Sequence, residues 1–385
     1  MAEFQADAPI PFPIEIDEAM LIDLHRRLES TRWPEEETVS DWSQGVPLHW
    51  LKDICDYWRT DYDWRRCEAK LNAFGSQKIS IDGLDFHFLH VRSEYENARP
   101  LILTHGWPGS IVEFFELIPL LTDPTKAGGD VEDAFHVVVP SLPGFGFSGK
   151  PQSTGWTIER TADAWAALMA KLGYTTYFAQ GGDWGASVST ELGKRYPDHC
   201  KAVHLNLVLA KPDKAILQAP TDAEANAFKS ALHHRKVGTG YSKQQATRPQ
   251  TLGYGLTDSP VGQAAWILEK FFEWTDIDGA PDSALSRDQL LDNVMMYWLT
   301  ASAASSARLY WESFYNVDMG PVEIPVACTV FPKEIPSPSR RWAELRFKNI
   351  IHFNQVDRGG HFAAIEQPEI LVKEIQTAFR SVVIN

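Results

Sequence analysis

Basic residues are scarce in this chain of 385 residues, which has 36 lysines and arginines against 51 aspartates and glutamates and a formal net charge of -15. Such a surplus of negative charge disfavours sequence-independent binding to nucleic acid or anionic lipid, so we expect neither as a partner. Long apolar runs are also lacking, and no stretch approaches the roughly 18 uncharged residues that a membrane-spanning helix needs. The N-terminus has no basic region followed by an apolar one. We therefore expect a cytoplasmic protein without a membrane anchor.

Cysteine is rare as well. The four cysteines are Cys55, Cys67, Cys200 and Cys328, which lie far apart and lack the spacing of a metal site. We expect them to be reduced, partly buried thiols, which again fits a cytoplasmic protein. Hydrophobic residues are by contrast plentiful, at 44% of the chain, so one large or two modest domains with a sizeable core can form.

The beginning of the chain is predicted to be helical and rich in tryptophan. Its proline-rich segment PIPFPIEI indicates an extended arm. Asp17 then caps a helix that carries Leu21, Leu24 and Leu28 on one face.

From residue 76 onward, short apolar strands alternate with segments of helix length. The pair Asp82-Gly83 is typical of the tight turn of a β-hairpin. Further strands are predicted at 101–105, 135–140, 176–180, 202–207, 325–331 and 350–356, and a last helix near 368–383. This alternation indicates an α/β fold with a mainly parallel sheet flanked by helices.

Residues 208–320 show no strand pattern and are predicted to be a helical cap over the carboxyl edge of the sheet, where ligands of such folds bind. The chain thus divides into an N-terminal segment (1–75), a first part of the core (76–207), the cap (208–320) and a second part of the core (321–385). We expect the N-terminal segment to hold core and cap together.

The sequence AQGGDWGA at 179–186 has the spacing of a nucleophile elbow, a tight turn between a strand and a helix. Gly181 and Gly185 flank Asp183 where a side chain would collide with neighbouring backbone. An aspartate stands where a serine is expected, so the predicted nucleophile is a carboxylate that forms an ester. The alternative is an ordinary turn in which Asp183 caps the helix.

Other segments supply groups that such a nucleophile needs. In HGWP (105–108), the N–H of Trp107 can pair with that of Trp184 to hold an oxyanion, although an ordinary strand-to-helix turn is the alternative. Hydrolysis of an ester also calls for a histidine oriented by an acid. Glu334 follows one late strand and His361 the last strand, which gives the order Asp, Glu, His of an α/β hydrolase.

No nucleotide cofactor is predicted. The glycine-rich LPGFGFSGKP (142–151) follows a strand but lacks both a Gly-Lys-Ser spacing and a dinucleotide fingerprint. It is better explained as a shaped loop.

Several long motifs resemble, in order and over nearly the whole chain, those of the microsomal-type epoxide hydrolases, a branch of the α/β-hydrolase superfamily. They are PFPIEID, YWRTDYDWR, HGWPGS, PGFGFS, GGDWGA, QATRPQTLGYGLTDSP, FPKEIP and GGHFAAIEQPE. The resemblance implies an α/β-hydrolase fold and an enzyme that converts an apolar epoxide and water to a vicinal diol. It implies Asp183 as nucleophile, His361 as the base for water and Glu334 as the charge partner. Neither a metal nor an organic cofactor takes part in this chemistry.

The resemblance further implies two cap tyrosines that hold and protonate the epoxide oxygen. Their positions fall on Tyr241, shortly before Thr-Arg-Pro, and on Tyr310, after the serine-rich helix. Tyr254, Tyr297 and Tyr315 lie nearby in sequence and stay open as alternatives. A phenol of pKa about 10 suits the task, because it keeps its proton at neutral pH and is still acidic enough to protonate an alkoxide.

Two other functions stay open. A haloalkane dehalogenase uses the same aspartate, ester and histidine-activated water, but it has no task for the two cap tyrosines. An α/β-hydrolase scaffold that only binds a ligand or a protein is the second alternative, disfavoured by the complete catalytic set. The aromatic cap indicates an apolar pocket. The sequence leaves open which epoxide reacts and whether a homodimer forms.

Overall fold

The computed structural model describes residues 8–383, so the first seven residues of the predicted N-terminal segment and the last two of the chain lie outside the described part. Within it, one sheet contains the strands β1 (Ile10–Pro11), β2 (Ser76–Ile81), β3 (Leu84–Val91), β4 (Arg99–Thr104), β5 (Phe135–Pro140), β6 (Tyr177–Gly181), β7 (Cys200–Leu205), β8 (Val322–Val330) and β9 (Phe347–Gln355). Their order across the sheet is β1-β2-β3-β5-β4-β6-β7-β8-β9.

The sheet is mainly parallel. β1 pairs antiparallel with β2, β2 with β3 and β3 with β5, whereas the pairs among the six strands β4 to β9 are all parallel. The register places Thr104 opposite Gly181, so the loops that follow β4 and β6 begin side by side. Val330 is opposite Gln355, which likewise brings together the loops after β8 and β9. All four loops therefore leave the carboxyl edge of the sheet, and the predicted α/β fold class is confirmed.

The helices connect these strands and cover the sheet. They are α1 (Glu18–Glu29), α2 (Leu48–Thr60), α3 (Trp64–Ala73), α4 (Leu117–Thr122), α5 (Ile158–Lys171), α6 (Asp183–Arg195), α7 (Lys214–Gln218), α8 (Asp222–His233), α9 (Gly240–Thr247), α10 (Pro249–Asp258), α11 (Pro260–Trp274), α12 (Arg287–Trp298), α13 (Ala303–Ser313), α14 (Arg340–Ala343), α15 (Ala363–Glu366) and α16 (Pro368–Phe379). α5 packs against α6, and α16 packs against α4. The described residues between β7 and β8 contain α7 to α13 and no strand.

The N-terminal segment contacts both the sheet and the helices between β7 and β8. The predicted extended arm ends in β1, which adds an edge strand beside β2. Asp292 on α12 is buried and accepts hydrogen bonds from Tyr62 Oη and Arg66 Nη2, both at 2.7 Å. The ring of Trp42 stacks on that of Phe272 in α11 at a centroid distance of 4.1 Å. The described part of the segment thus contacts the sheet on one side and α11 and α12 on the other, and its role in holding core and cap together stays a prediction.

The four cysteines are fully buried, and none forms a disulfide with another described residue. Burial raises the pKa of Cys55, Cys200 and Cys328 to about 12, so these thiols stay protonated and unreactive at neutral pH. Among residues 8–383, every helix is too short or too polar to span a bilayer.

Candidate active site

Asp183 lies on the tight turn that joins β6 to α6. Its φ is +47°, a left-handed conformation that costs an ordinary residue roughly 1–3 kcal/mol and often occurs at active sites. A Cβ at Gly181 would lie 2.1 Å from the carbonyl oxygen of Gly185, and a Cβ at Gly185 would lie 1.8 Å from that of Thr104. Only glycine fits at these two positions, so the turn has the geometry of a nucleophile elbow.

The loop after β4 supplies a hydrogen bond to this carboxylate. The backbone N–H of Trp107 donates to Oδ1 of Asp183 at 2.8 Å. Gly106 permits this approach, because a Cβ there would lie 2.1 Å from the same oxygen. Trp184, the second expected donor, lies in the first turn of α6, where backbone N–H groups have no partner within the helix. Its part in an oxyanion hole stays a prediction.

His361 lies between two carboxylates. Its Nε2 is 3.4 Å from Oδ2 of Asp183, and its Nδ1 is 2.9 Å from each carboxylate oxygen of Glu334. The Glu334 side chain is buried, so water screens its charge little. The structure thus brings together the three residues predicted as nucleophile, base and charge partner, although they follow β6, β9 and β8.

Electrostatics make this histidine strongly basic. Burial lowers the pKa of His361, but the charges of Glu334 and Asp183 outweigh it, and the pKa is raised well above the ordinary value. The imidazole therefore binds a proton tightly as long as both carboxylates are charged.

Tyr241 on α9 and Tyr310 on α13 both contact Trp107, the residue whose backbone N–H binds the Asp183 carboxylate. Their ring centroids are 5.8 Å apart. The indole of Trp107 stacks on Tyr241 at 5.0 Å and meets Tyr310 edge-on at 5.8 Å. Burial, with a smaller contribution from the charge of Asp183, raises the pKa of both phenols. Both tyrosines therefore keep their protons at neutral pH and can donate them.

The alternative tyrosines occupy other environments. Tyr297 on α12 is buried, and its hydroxyl donates to the carbonyl oxygen of Gly109 at 2.7 Å, which ties the helix to the loop after β4. Tyr254 is 70% exposed and Tyr315 is 68% exposed. Tyr310 differs from these three in packing against both Trp107 and Tyr241, and its role as the second phenol stays a prediction.

The chain is similar to known epoxide hydrolases over almost its whole length. The family described as "Epoxide hydrolase N terminus" matches residues 9–114, and the family "alpha/beta hydrolase fold" matches residues 99–239. A Stigmatella aurantiaca protein provisionally named epoxide hydrolase is 55% identical over 371 positions, which cover 96% of this chain and 84% of that protein. Epoxide hydrolase 1 of Oryctolagus cuniculus is 36% identical, with 95% of this chain and 87% of the relative covered. The chain belongs to the epoxide hydrolase family.

Two solved structures of epoxide hydrolases match this fold over nearly the whole chain. The juvenile hormone epoxide hydrolase of Bombyx mori has a TM-score of 0.90 at 31% identity, covering 98% of this chain and 95% of its own. The Aspergillus niger epoxide hydrolase has a TM-score of 0.88 at 33% identity, covering 98% and 97%. The α/β-hydrolase fold and the epoxide hydrolase activity are thus confirmed, and the dehalogenase and non-catalytic alternatives lose their support.

The epoxide hydrolase has a cavity of about 140 Å³ that is bordered by Asp183 and His361. Its other walls are formed by Leu207, His234, Tyr241, Trp274, Lys333, Glu334 and Ile335. A wider groove of about 910 Å³ lies between the N-terminal segment and α11 and does not include Asp183. Within residues 8–383, no three His, Cys, Asp or Glu side chains are grouped so that they can hold a metal ion.

Two further polar residues of the epoxide hydrolase lie beside Asp183 and are missing from the predicted set. Glu113, in the 3₁₀ turn Ile111–Phe114, and Gln180, in β6, border a second cavity next to Asp183 and His361. Each had a signal in the sequence, because Glu113 is the single charge in the apolar run IVEFF and Gln180 interrupts a buried strand. That signal shows a polar residue in an apolar segment but not what the residue faces.

Proposed function

We propose that this epoxide hydrolase forms an ester between Asp183 and an apolar epoxide and then hydrolyses that ester with water activated by His361. One observation carries the proposal. Oδ1 of Asp183 is held by the Trp107 N–H at 2.8 Å, and Oδ2 faces Nε2 of His361 at 3.4 Å. The carboxylate therefore has one oxygen in place for an oxyanion hole and the other available for attack.

The first step is ring opening. Oδ2 of Asp183 bonds to an epoxide carbon, the C–O bond of the ring breaks, and its electron pair remains on the ring oxygen. That oxygen takes a proton from Tyr241 or Tyr310. The two phenols are suited to this step because both keep their protons and their rings pack against each other, with Tyr310 buried and Tyr241 partly buried.

The second step is hydrolysis of the ester. Water attacks the carbonyl carbon of Asp183 and gives a proton to His361, and Oδ1 becomes an oxyanion that the N–H groups of Trp107 and Trp184 stabilise. The bond between the carbonyl carbon and Oδ2 then breaks. Oδ2, which stays bonded to the substrate carbon, takes the proton back from His361 and leaves as the second hydroxyl of the diol. The new carboxylic acid returns its proton to the tyrosinate, so the enzyme is restored.

The charges around His361 change in the order that these steps need. In the free enzyme, two carboxylates raise the pKa of His361. Ester formation neutralises Asp183 and leaves Glu334 as the main charge that stabilises the imidazolium, so the pKa of His361 falls. A less basic imidazole can accept the proton of water and release it again to the leaving alkoxide within one turnover.

A single turnover in water enriched in ¹⁸O tests the mechanism. Excess enzyme is mixed with styrene oxide, and the diol and the peptide that contains Asp183 are analysed by mass spectrometry. We expect unlabelled diol and one ¹⁸O in Asp183, because the attacking water oxygen stays on the carboxylate. Label in the first-turnover diol would show direct attack by water and overturn the proposal. Asp183→Asn should form no ester, whereas the exposed control Asp198→Asn should behave like wild type.

A further inference from the structure

The second cavity beside the nucleophile is small and has both polar and apolar walls. The polar residues Glu113, Gln180, Asp183, Asn206 and His361 are among those that border it. Its volume is about 20 Å³, measured as the space open to the centre of a water molecule. A water site needs roughly 10–15 Å³ by this measure together with several polar partners. The cavity therefore fits one water molecule next to both the base and the carbon that water must attack.

Gln180 presents an unsatisfied acceptor at this cavity. The residue is 1% exposed, and its Nε2 donates to Oδ1 of Asn206 at 2.8 Å. Its Oε1 is buried and has no hydrogen-bond partner among the described residues. An unpaired buried acceptor is costly, so an O–H donor in the cavity would stabilise this arrangement.

The chain makes room for the carboxyl group of Glu113. A Cβ at Gly109 would lie 1.4 Å from Oε1 of Glu113, so the carboxyl group occupies the space that a side chain at position 109 would fill. Burial, with the charge of Asp183 and against that of His361, raises the pKa of Glu113 to about 8. At neutral pH the group is therefore mostly protonated and offers an O–H donor.

We propose that Glu113 and Gln180 are positioning residues that hold the hydrolytic water in this cavity, an inference that rests on the ester mechanism above. The water donates one hydrogen to Nε2 of His361 and the other to Oε1 of Gln180. It accepts a hydrogen bond from the Glu113 carboxyl group. One lone pair is then left to attack the carbonyl carbon of Asp183, and the proton that leaves the water goes to His361.

The test separates the two chemical steps. Each enzyme is mixed rapidly with styrene oxide and quenched in acid, and intact mass spectrometry follows the ester as it forms and decays. The variants are Glu113→Leu, which removes the polar group, Glu113→Gln, which keeps a donor of the same shape, and Gln180→Met, which removes the acceptor. Glu116, an exposed residue on the next turn, provides the matched controls Glu116→Leu and Glu116→Gln.

We expect Glu113→Leu and Gln180→Met to slow ester hydrolysis about 10- to 100-fold, because a misplaced water loses its aligned attack. Ester formation should stay within about threefold of wild type, so the ester accumulates. Glu113→Gln should hydrolyse the ester within about fivefold of wild type, since its amide N–H replaces the carboxyl O–H. The Glu116 variants should leave both rates unchanged.

Three results would overturn the inference. Unchanged hydrolysis in Glu113→Leu and Gln180→Met would show that neither residue holds the water. An equal loss of rate in ester formation and ester hydrolysis in these variants would indicate that the residues have a structural role. Glu113→Gln as slow as Glu113→Leu would refute the donor role. If Glu113→Leu does not fold, Gln180→Met and Glu113→Gln still decide the matter, and a wild-type enzyme that forms no ester would refute the proposed mechanism instead.

Discussion

Replacing Glu334 by glutamine should trap the enzyme as its ester. The substitution keeps the size of a buried side chain whose two oxygens are both 2.9 Å from Nδ1 of His361, and it removes only the charge. Two unit charges about 4 Å apart interact by about 4 kcal/mol at an effective dielectric constant of about 20. This energy corresponds to about 3 pKa units at His361.

The Glu334→Gln substitution should slow the second step, ester hydrolysis, and not ring opening. Once Asp183 is esterified, Glu334 is the main charge that stabilises the imidazolium of His361, so the base is weakest when it has to accept a proton from water. We expect ester hydrolysis to slow about 100- to 1,000-fold, within the range that general-base catalysis contributes. Ring opening, which uses the Asp183 carboxylate and the cap phenols, should stay within about fivefold of wild type.

Rapid mixing with styrene oxide, acid quench and intact mass spectrometry measure both rates in Glu334→Gln. The matched control is Glu323→Gln, an exposed glutamate on the same strand β8, which should behave like wild type. Hydrolysis in Glu334→Gln within about threefold of wild type would refute the reasoning, because the charge of Glu334 would then not support His361. A tenfold or greater loss of ring opening would also refute it, since Glu334 would then act before the ester exists.

Three further predictions follow from single contacts. Tyr310→Phe should slow ester formation about 10- to 100-fold in the same assay, because a hydrogen bond to a developing alkoxide is worth roughly 1.5–3 kcal/mol, whereas the exposed Tyr315→Phe should have no effect. Gly185→Ala should lower the free energy of unfolding in urea by about 3 kcal/mol, since its Cβ would lie 1.8 Å from a carbonyl oxygen, and Gly255→Ala in open space on α10 should raise it by about 0.5–1 kcal/mol. An arginine partner holds the pKa of Glu224 below its usual range, so this carboxylate stabilises the fold above about pH 4.3 and the stabilisation is lost on acidification. Glu224→Gln should therefore melt below wild type at pH 7, and a difference that did not shrink in acid would contradict this assignment.

Local signals predicted much of the secondary structure. The hairpin at Asp82-Gly83 joins β2 and β3, and α1 begins directly after its predicted cap, Asp17. The late strands were predicted to start at 325 and 350, but β8 begins at Val322 and β9 at Phe347. These two residues pair with each other, so each strand is lengthened by its neighbour. A pairing between residues 25 positions apart leaves no local pattern for the sequence to show.

In the active site too, local sequence predicts some residue roles, whereas others depend on contacts between distant parts of the chain. The glycines around Asp183 are demanded by the turn itself, and the turn predicts a nucleophile from a handful of adjacent letters. For the tyrosines, residue type alone did not separate Tyr310 from Tyr297, and only the motif favoured one of them. The fold distinguishes them by contact, since Tyr297 donates to a backbone carbonyl of the loop after β4 and Tyr310 packs against Trp107 and Tyr241.

The sequence by itself determined the α/β class, the nucleophile elbow, the order of Asp183, Glu334 and His361, and the family, because turn chemistry, periodicity and motifs act over short stretches of chain. Only the tertiary structure decided that His361 lies between two carboxylates, and that Glu113 and Gln180 border a cavity the size of one water molecule. These facts depend on distances between loops that follow different strands. The sheet register sets those distances, and register is a property of the folded chain.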